Sequence, residues 1–357
     1  MDRIYILLSV CLYYIGRDDF ADMITVRRAE IEDIPFIMQF LDEHWEKGYS
    51  LAKNKEFFNW QYVKNDKVNI WIGIDEIEKK VYALQDCVIY RSSDNPDISG
   101  TLWRAIKSDN PLLALQVQEK MWDDIDPRAS FSPGLREDAV KVYKALGYSI
   151  KYMCHYYRLG SVDEFKIAKV ENKSIPEVDD YGFGLRVIKG VDEFSKIISE
   201  EELVGYSPSR DYEYIKWRYF DHPIYDYLVY AIENNVGKDV AVIILREECA
   251  IDSKVLKIID YYGNPKWMMR ITSELDQIME ENAYEYVDVY SYGIPDGIYE
   301  KAGMLRCDAL SENIIPQYFQ PYECKNVDFA IIPPDVSSIR VFRGDSGLDR
   351  PRFLWPY

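Results

Sequence analysis

At 357 residues the chain exceeds what one hydrophobic core usually fills, which points to two domains. It carries 43 Lys and Arg against 61 Asp and Glu, a formal charge of −18, and this opposes binding to a phosphate backbone or an anionic membrane. No apolar run reaches the roughly 18 residues a membrane helix needs, and six cysteines without a CxxC pair read as reduced thiols of a cytoplasmic protein.

Residues 4–15 (IYILLSVCLYYI) are apolar over the length of a signal-peptide core. Only Arg3 is basic before them, and the acidic GRDDFAD replaces a small-residue cleavage site, so residues 1–23 read as an extension ahead of the first domain. The first domain, 24–160, opens with an extended ITVRRA and a helical IEDIPFIMQFLDEHW, where Ile31, Ile34, Ile37, Leu41 and Trp45 recur at helical spacing. A second helix carries Phe57, Trp60 and Tyr62. Strands VNIWIGID, KVYALQDCVIYR and SGTLWRAI follow, rich in β-branched and aromatic residues. Pro111 suits the first turn of a helix, so LLALQVQEKMWDDI starts there. A strand, RASFSPG, and a short helix capped by Gly147 close the unit. Residues 161–182, rich in Lys, Glu and Asp with a late Pro, read as a solvated linker.

The second domain, 183–335, repeats the first, and residues 336–357 form a tail. EFFNWQY (56–62) returns as EYIKWRY (213–219), VYKALGY (142–148) as IYEKAGM (298–304), and Asn110-Pro111 as Asn264-Pro265, at offsets of 157, 156 and 154. Three collinear matches at nearly one spacing indicate duplication. The expected class is α/β (α+β): two tandem units, each with a mixed, mostly antiparallel twisted sheet flanked by helices.

That element order, with LGY or AGM ending the last helix, resembles the GNAT superfamily of acyl-CoA N-acyltransferases, and its doubling is similar to tandem-GNAT and FemAB-like transferases. YIKWRYFDHPIYDY (214–227), IIDYYGNP (258–265) and the tail phrase GDSGLDRP (344–351) resemble GNAT-like proteins associated with bacterial surface-polysaccharide synthesis. The resemblance spans nearly the whole chain from residue 24. It implies acetyl-CoA or another acyl-CoA as co-substrate, no metal, and a small-molecule amine acceptor such as an amino sugar or sugar nucleotide. It also implies that the strand before the main helix splays to hold the thioester carbonyl, and that the next loop and helix N-terminus hold the pyrophosphate. Those positions are Asn110, Leu112 and Leu113 in the first unit and Gly263, Asn264 and Lys266 in the second. The family's glycine-rich loop is missing from both, since SDNPLLA and GNPKWMM put a proline and bulky residues where glycines let a backbone close on phosphate. Tyr143 and Tyr299 match the tyrosine that protonates the leaving thiolate, a phenol of suitable acidity.

For the base, Asp260 in the strand before the second loop is the first candidate, with Asp86 and Asp288 behind it; an ion pair of Asp260 with Arg246 or Arg218 is the alternative. Trp217, Tyr219 and His222, with Asp349 and Arg350 of the tail, are candidates to bind the acceptor, against readings as core, turn and tethered terminus. The three histidines (His44, His155, His222) have no metal-ligand spacing. Two other functions stay open: FemAB-like transfer from an aminoacyl-tRNA, which the acidity opposes, and a non-catalytic binding or scaffold role. The oligomeric state is not legible.

Overall fold

The computed structural model describes residues 24–135 and 137–353. The extension expected over 1–23 and the last residues of the tail lie outside the described residues. The first half forms β1 (Ile24–Arg28), helices α1 (Ile34–Phe40) and α2 (Lys55–Tyr62), then strands β2 (Ile70–Asp75), β3 (Lys80–Asp86), β4 (Val88–Ile89), β5 (Asp97–Ser99) and β6 (Trp103–Ala105). Helix α3 (Leu113–Ile125), β7 (Ala129–Leu135), α4 (Glu137–Ala145), β8 (Lys151–Tyr152) and β9 (Cys154–Leu159) complete it. The second half forms β10 (Gly184–Val187), α5 (Val191–Ile197), and α6 (Tyr212–Ile215) continued by a π-turn over Lys216–Phe220. Strands β11 (Leu228–Glu233), β12 (Asp239–Ala250) and β13 (Ser253–Gly263) precede α7 (Thr272–Asn282), β14 (Tyr286–Tyr292) and α8 (Asp296–Lys301). The chain ends through β15 (Leu305–Cys307), β16 (Ala330–Ile332) and β17 (Val341–Phe342).

The second sheet has the order β10-β11-β12-β13-β14-β9-β15. In the first half the same order is split between β1-β2-β3-β6 and β4-β5-β7-β16-β8. Strands β5 and β6 together do the work of β13. Its early residues pair parallel with β14 (Leu256↔Val287 to Ile258↔Val289), as β5 pairs with β7, and its later residues pair antiparallel with β12, as β6 pairs with β3. The single strand expected at SGTLWRAI is broken because the buried Asp86 carboxylate accepts the N–H groups of Thr101 and Leu102 at 2.6 and 2.7 Å. Those donors are satisfied by a side chain, so the backbone leaves the ladder there. The sheets are mostly antiparallel, with β5·β7 and β13·β14 as parallel pairs, which is the expected class.

The closing strands are exchanged between halves. Strand β9, at the end of the first half, lies between β14 and β15, whereas β16, from the second half, lies between β7 and β8. Strand pairing therefore crosses the boundary read at residue 160. Repeat-equivalent side chains also meet: the rings of Trp60 and Trp217, 157 residues apart, stack at 4.6 Å, and Trp217 Nε1 donates to the Trp60 carbonyl at 3.0 Å. Equivalent surfaces contact each other only around a two-fold axis, here a pseudo-axis within one chain. One core spans the seam, joining Tyr90, Phe131 and Met153 of the first half to Ile215, Tyr219, Ile259 and Tyr290 of the second.

The segment read as a solvated linker is not solvated along its length. Ile167 is fully buried, and the buried Glu285 carboxylate accepts the N–H groups of Lys166, Ile167 and Ala168 at 2.8–2.9 Å. Three backbone donors converge on one acidic group, and this pins a chain whose composition suggested exposure.

Candidate functional site

In each unit two neighbouring strands run together and then diverge. Parallel pairing of β13 with β14 stops at Ile258↔Val289, although the strands continue to Gly263 and Tyr292. In the first unit it stops at Ser99↔Phe131, and β6 and the end of β7 part beyond that point. The second gap contains a strand of the protein itself: β17 pairs antiparallel with β14 (Ser291↔Phe342, Tyr292↔Val341), while Ser291 meets Cys154 of β9 on the other edge.

From β17 the tail runs along the seam between the halves and is held by buried charges. Asp345 pairs with Arg210 at 2.6 Å, and Asp349 with Arg218 and, at 2.8 Å, with Arg246. Arg350 reaches Asp86 at 3.2 Å and Thr101 Oγ1 at 2.5 Å. A reading of 344–353 as a terminus tied by one salt bridge thus understates it. Between these groups lies a small polar cavity of about 20 Å³, lined by Tyr90, Tyr214, Trp217, His222, Asp349 and Arg350, with Asp345 and Arg218 also on its wall.

Four of the five residues singled out for the acceptor, Trp217, His222, Asp349 and Arg350, converge on this cavity. The fifth, Tyr219, lies behind it and donates to Asp260 at 2.7 Å. Asp260 is fully buried, accepts from Tyr219, Tyr262 and the Tyr261 N–H, and its nearest guanidinium is Arg210 at 3.6 Å. The alternative pairing with Arg246 or Arg218 is corrected: both serve Asp349. Asp86 and Asp288 are equally committed, Asp86 to Thr101, Tyr62 and Arg350, and Asp288 to Lys257 at 3.0 Å and His155 at 2.9 Å.

Arg210 and Asp345 were not found from the sequence. The signal was slight, since Asp345 sits in the same GDSGLD phrase that yielded Asp349. Burial pushes the Asp345 carboxyl up to about 6, against the pull of Arg210 and with the help of Asp260. Asp349 is also buried, but Arg246 and Arg218 outweigh that and hold it below the usual carboxylate range.

His222 owes its state to the turn after it. Its Nδ1 accepts the N–H groups of Ile224 and Tyr225 at 3.1 and 2.9 Å, so the ring proton sits on Nε2. Burial, with Arg218 nearby, lowers its pKa to about 2. The folded chain cannot take the proton that an unfolded chain binds near pH 6.5, so this histidine's contribution to stability falls as pH drops through 6.5. Between pH 7 and 5, urea unfolding of the wild type is expected to lose more stability than that of His222→Gln; equal losses would contradict the assignment.

Tyr143 and Tyr299 sit at opposite units and share no site with each other. Tyr143 accepts from Gln118 Nε2 at 2.9 Å beside the Trp103 ring, and burial raises its pKa to about 12. Tyr299 is fully buried, bonded to Ser291 at 2.7 Å and stacked on Tyr156, on the wall of a small apolar cavity of about 10 Å³ between α7, α8 and the sheet.

At the two loops the asparagines cap their own turns. Asn110 Oδ1 accepts from Leu112 N at 3.0 Å, and Asn264 Oδ1 from Lys266 N at 3.1 Å. Leu113 is buried against Gly73, where an added Cβ would fall 2.8 Å from it, and the exposed Lys266 lies over the Trp267 ring. Gly263 keeps a φ of +116°, and its carbonyl accepts from Arg340 at 2.7 Å. Among the described residues no cluster of His, Cys, Asp or Glu could hold a metal ion, and no helix is long and apolar enough to cross a membrane.

No protein-family model and no curated protein matches the chain. Among solved structures, a GCN5-related N-acetyltransferase from Anabaena variabilis is similar at a TM-score of 0.53 and 11% identity, over 86% of this chain and 72% of that one. A conserved protein of Enterococcus faecalis V583, provisionally assigned as an N-acyltransferase, is similar at 0.52 and 8% identity over the same shares. Such identities speak for the backbone alone. With the strand order, the diverging strands and the helices after them, they show that the chain has the GNAT fold.

Proposed function

We propose that this chain transfers an acyl group from a CoA thioester to the amine of a small molecule, of the amino-sugar or sugar-nucleotide class. The observation that carries this reading is the convergence of candidate acceptor groups around a small cavity at the seam. There carboxylates, a histidine N–H, arginines and the faces of Tyr90, Tyr214 and Trp217 line one space, beside strands that diverge as thioester-binding strands do. The rings suit a sugar face and His222 Nε2–H offers a donor to a hydroxyl or carbonyl oxygen, while Asp345 and Asp349 would meet an ammonium only by sharing it with the arginines that already pair with them. In the transfer the C–N bond forms and the C–S bond breaks; a carboxylate takes the amine proton and a phenol returns one to the thiolate. Asp345, ionised above about pH 6, has the acidity for the first role; Tyr143 is the phenol proposed for the second, although burial, which raises it to about 12, makes it a weaker acid than a free phenol.

The loops fit the donor less well, since a pyrophosphate must displace the asparagine caps at Leu112 and Lys266. Those self-satisfied loops favour the second reading, a duplicated fold kept as a non-catalytic binding or scaffold module. Aminoacyl transfer from a tRNA is disfavoured by the charge of −18. The chain incubated with acetyl-CoA and a panel of amino sugars is expected to release free thiol only with an amine present, faster as pH rises through about 6. Absence of both thiol release and acetyl-CoA binding would favour the non-catalytic module.

A further inference from the structure

We infer that the tail segment 339–345 is a built-in strand that closes the second unit's gap, so that the acyl-CoA of the reading above, on which this inference rests, has a single place per chain, between β6 and β7.

Both walls of the second gap are touched by the tail. On the β14 side lies the β17 ladder, and a Cβ added to Gly293, whose φ is +92°, would fall 2.0 Å from the Ile339 carbonyl oxygen. On the β13 side, a Cβ on Gly344 would fall 3.0 Å from the Ile259 carbonyl oxygen and 2.7 Å from Tyr219 Oη. Arg340 bonds the Gly263 carbonyl, at the loop where a pyrophosphate is expected. Peptide thus spans the gap from strand to strand, and the space for a thioester arm is taken.

The segment is also anchored at both ends: at its start, the Ser207 N–H donates to the Ser338 carbonyl at 2.7 Å and the Arg340 N–H to the Ser207 carbonyl at 2.9 Å. Asp345 accepts the Phe342 N–H at 2.9 Å and pairs with Arg210; beyond it come Asp349 with Arg218 and Arg246, and Arg352 with Glu46 at 2.8 Å. Phe342 and Arg343 are buried, and Asp345 and Asp349 have no solvent to replace their partners. Departure of the strand would leave buried Arg218 without a carboxylate, Arg210 with only Asp260 at 3.6 Å and Arg246 with only Glu248 at 2.7 Å, so the closure is constitutive rather than a lid.

The first unit differs at the equivalent place. Strand β7 uses its outer edge for β16, and among the described residues no strand pairs with its inner edge beyond Phe131. The tail reaches both walls of this gap as well, since an added Cβ on Gly347 would lie 3.5 Å from Thr101 and one on Gly134 would lie 3.4 Å from Leu348, but among the described residues it adds no strand to β7 there. Trp103, Gln118 and Tyr143 border it, which makes Tyr143, and not Tyr299, the phenol beside a thioester.

Calorimetric titration of the full chain with acetyl-CoA is expected to give one donor per chain. Hydrogen–deuterium exchange with donor present is expected to slow in residues 103–118 and 129–148 and to stay unchanged in 256–268 and 289–304. Two donors per chain, or slowing at 256–268, would overturn the single site while leaving the acyltransferase reading intact. No binding at all would overturn both.

Discussion

Replacing Asp349 by Ala is expected to destabilise the chain by about 3–5 kcal/mol in urea unfolding, among the largest effects available to one exposed-sounding residue of a terminal phrase. Asp349 is fully buried, with Oδ2 on Arg218 and accepting from Tyr227 at 2.8 Å, and Oδ1 facing Arg246 at 2.8 Å. Removing it leaves two buried guanidinium groups sharing no counter-charge beyond the Arg246–Glu248 pair at 2.7 Å. Asp349→Asn keeps the shape and one acceptor, so it is expected to lose less than the alanine. A loss under about 1 kcal/mol for the alanine would place the cluster in the range of solvated surface pairs and contradict the buried seam.

Gly293→Ala is expected to cost about 2–5 kcal/mol. Its φ of +92° lies where a side chain is strained, by roughly 1–2 kcal/mol, and the new Cβ would collide with the Ile339 carbonyl, adding roughly 1–3 kcal/mol of overpacking. A backbone oxygen in a strand that is itself pinned cannot step aside as a flexible side chain would. Gly297→Ala is the matched control: it sits in α8 with nothing within 4 Å of the added carbon, and helix propensity there favours Ala by about 1 kcal/mol. Similar effects at both positions would mean that the tail does not cross at Gly293.

The duplication and its element order were legible because the period was carried by large aromatic residues. Trp60 and Trp217, which revealed the repeat, are also the pair that meets at the pseudo-axis, as repeat-equivalent surfaces must. The exchange of β9 and β16 was not legible. A closing strand reads the same whether it pairs within its own unit or with the other, and only long-range pairing decides. The break at Thr101 was hidden for a different reason, since nothing local shows that Asp86, fifteen residues earlier, takes those N–H groups.

The residues singled out for the acceptor were chosen by residue type, and four of the five converge. Their partner Arg210 could not be found, because a lone Arg in SPSRDYEY gives no sign that it will be buried between two carboxylates. The tail was read as a site-lining loop or a terminus tied by one salt bridge, and neither reading shows that Gly344 is there because nothing larger fits against Ile259.

A crystal structure of the chain with acetyl-CoA and an amino-sugar acceptor tests the account most directly. The account expects the thioester between β6 and β7, the acceptor against Trp217, His222 and Asp345, and β17 still paired with Ser291 and Tyr292. Coenzyme A seated between β13 and β14 with β17 displaced, or β9 returned to the first sheet, would contradict it.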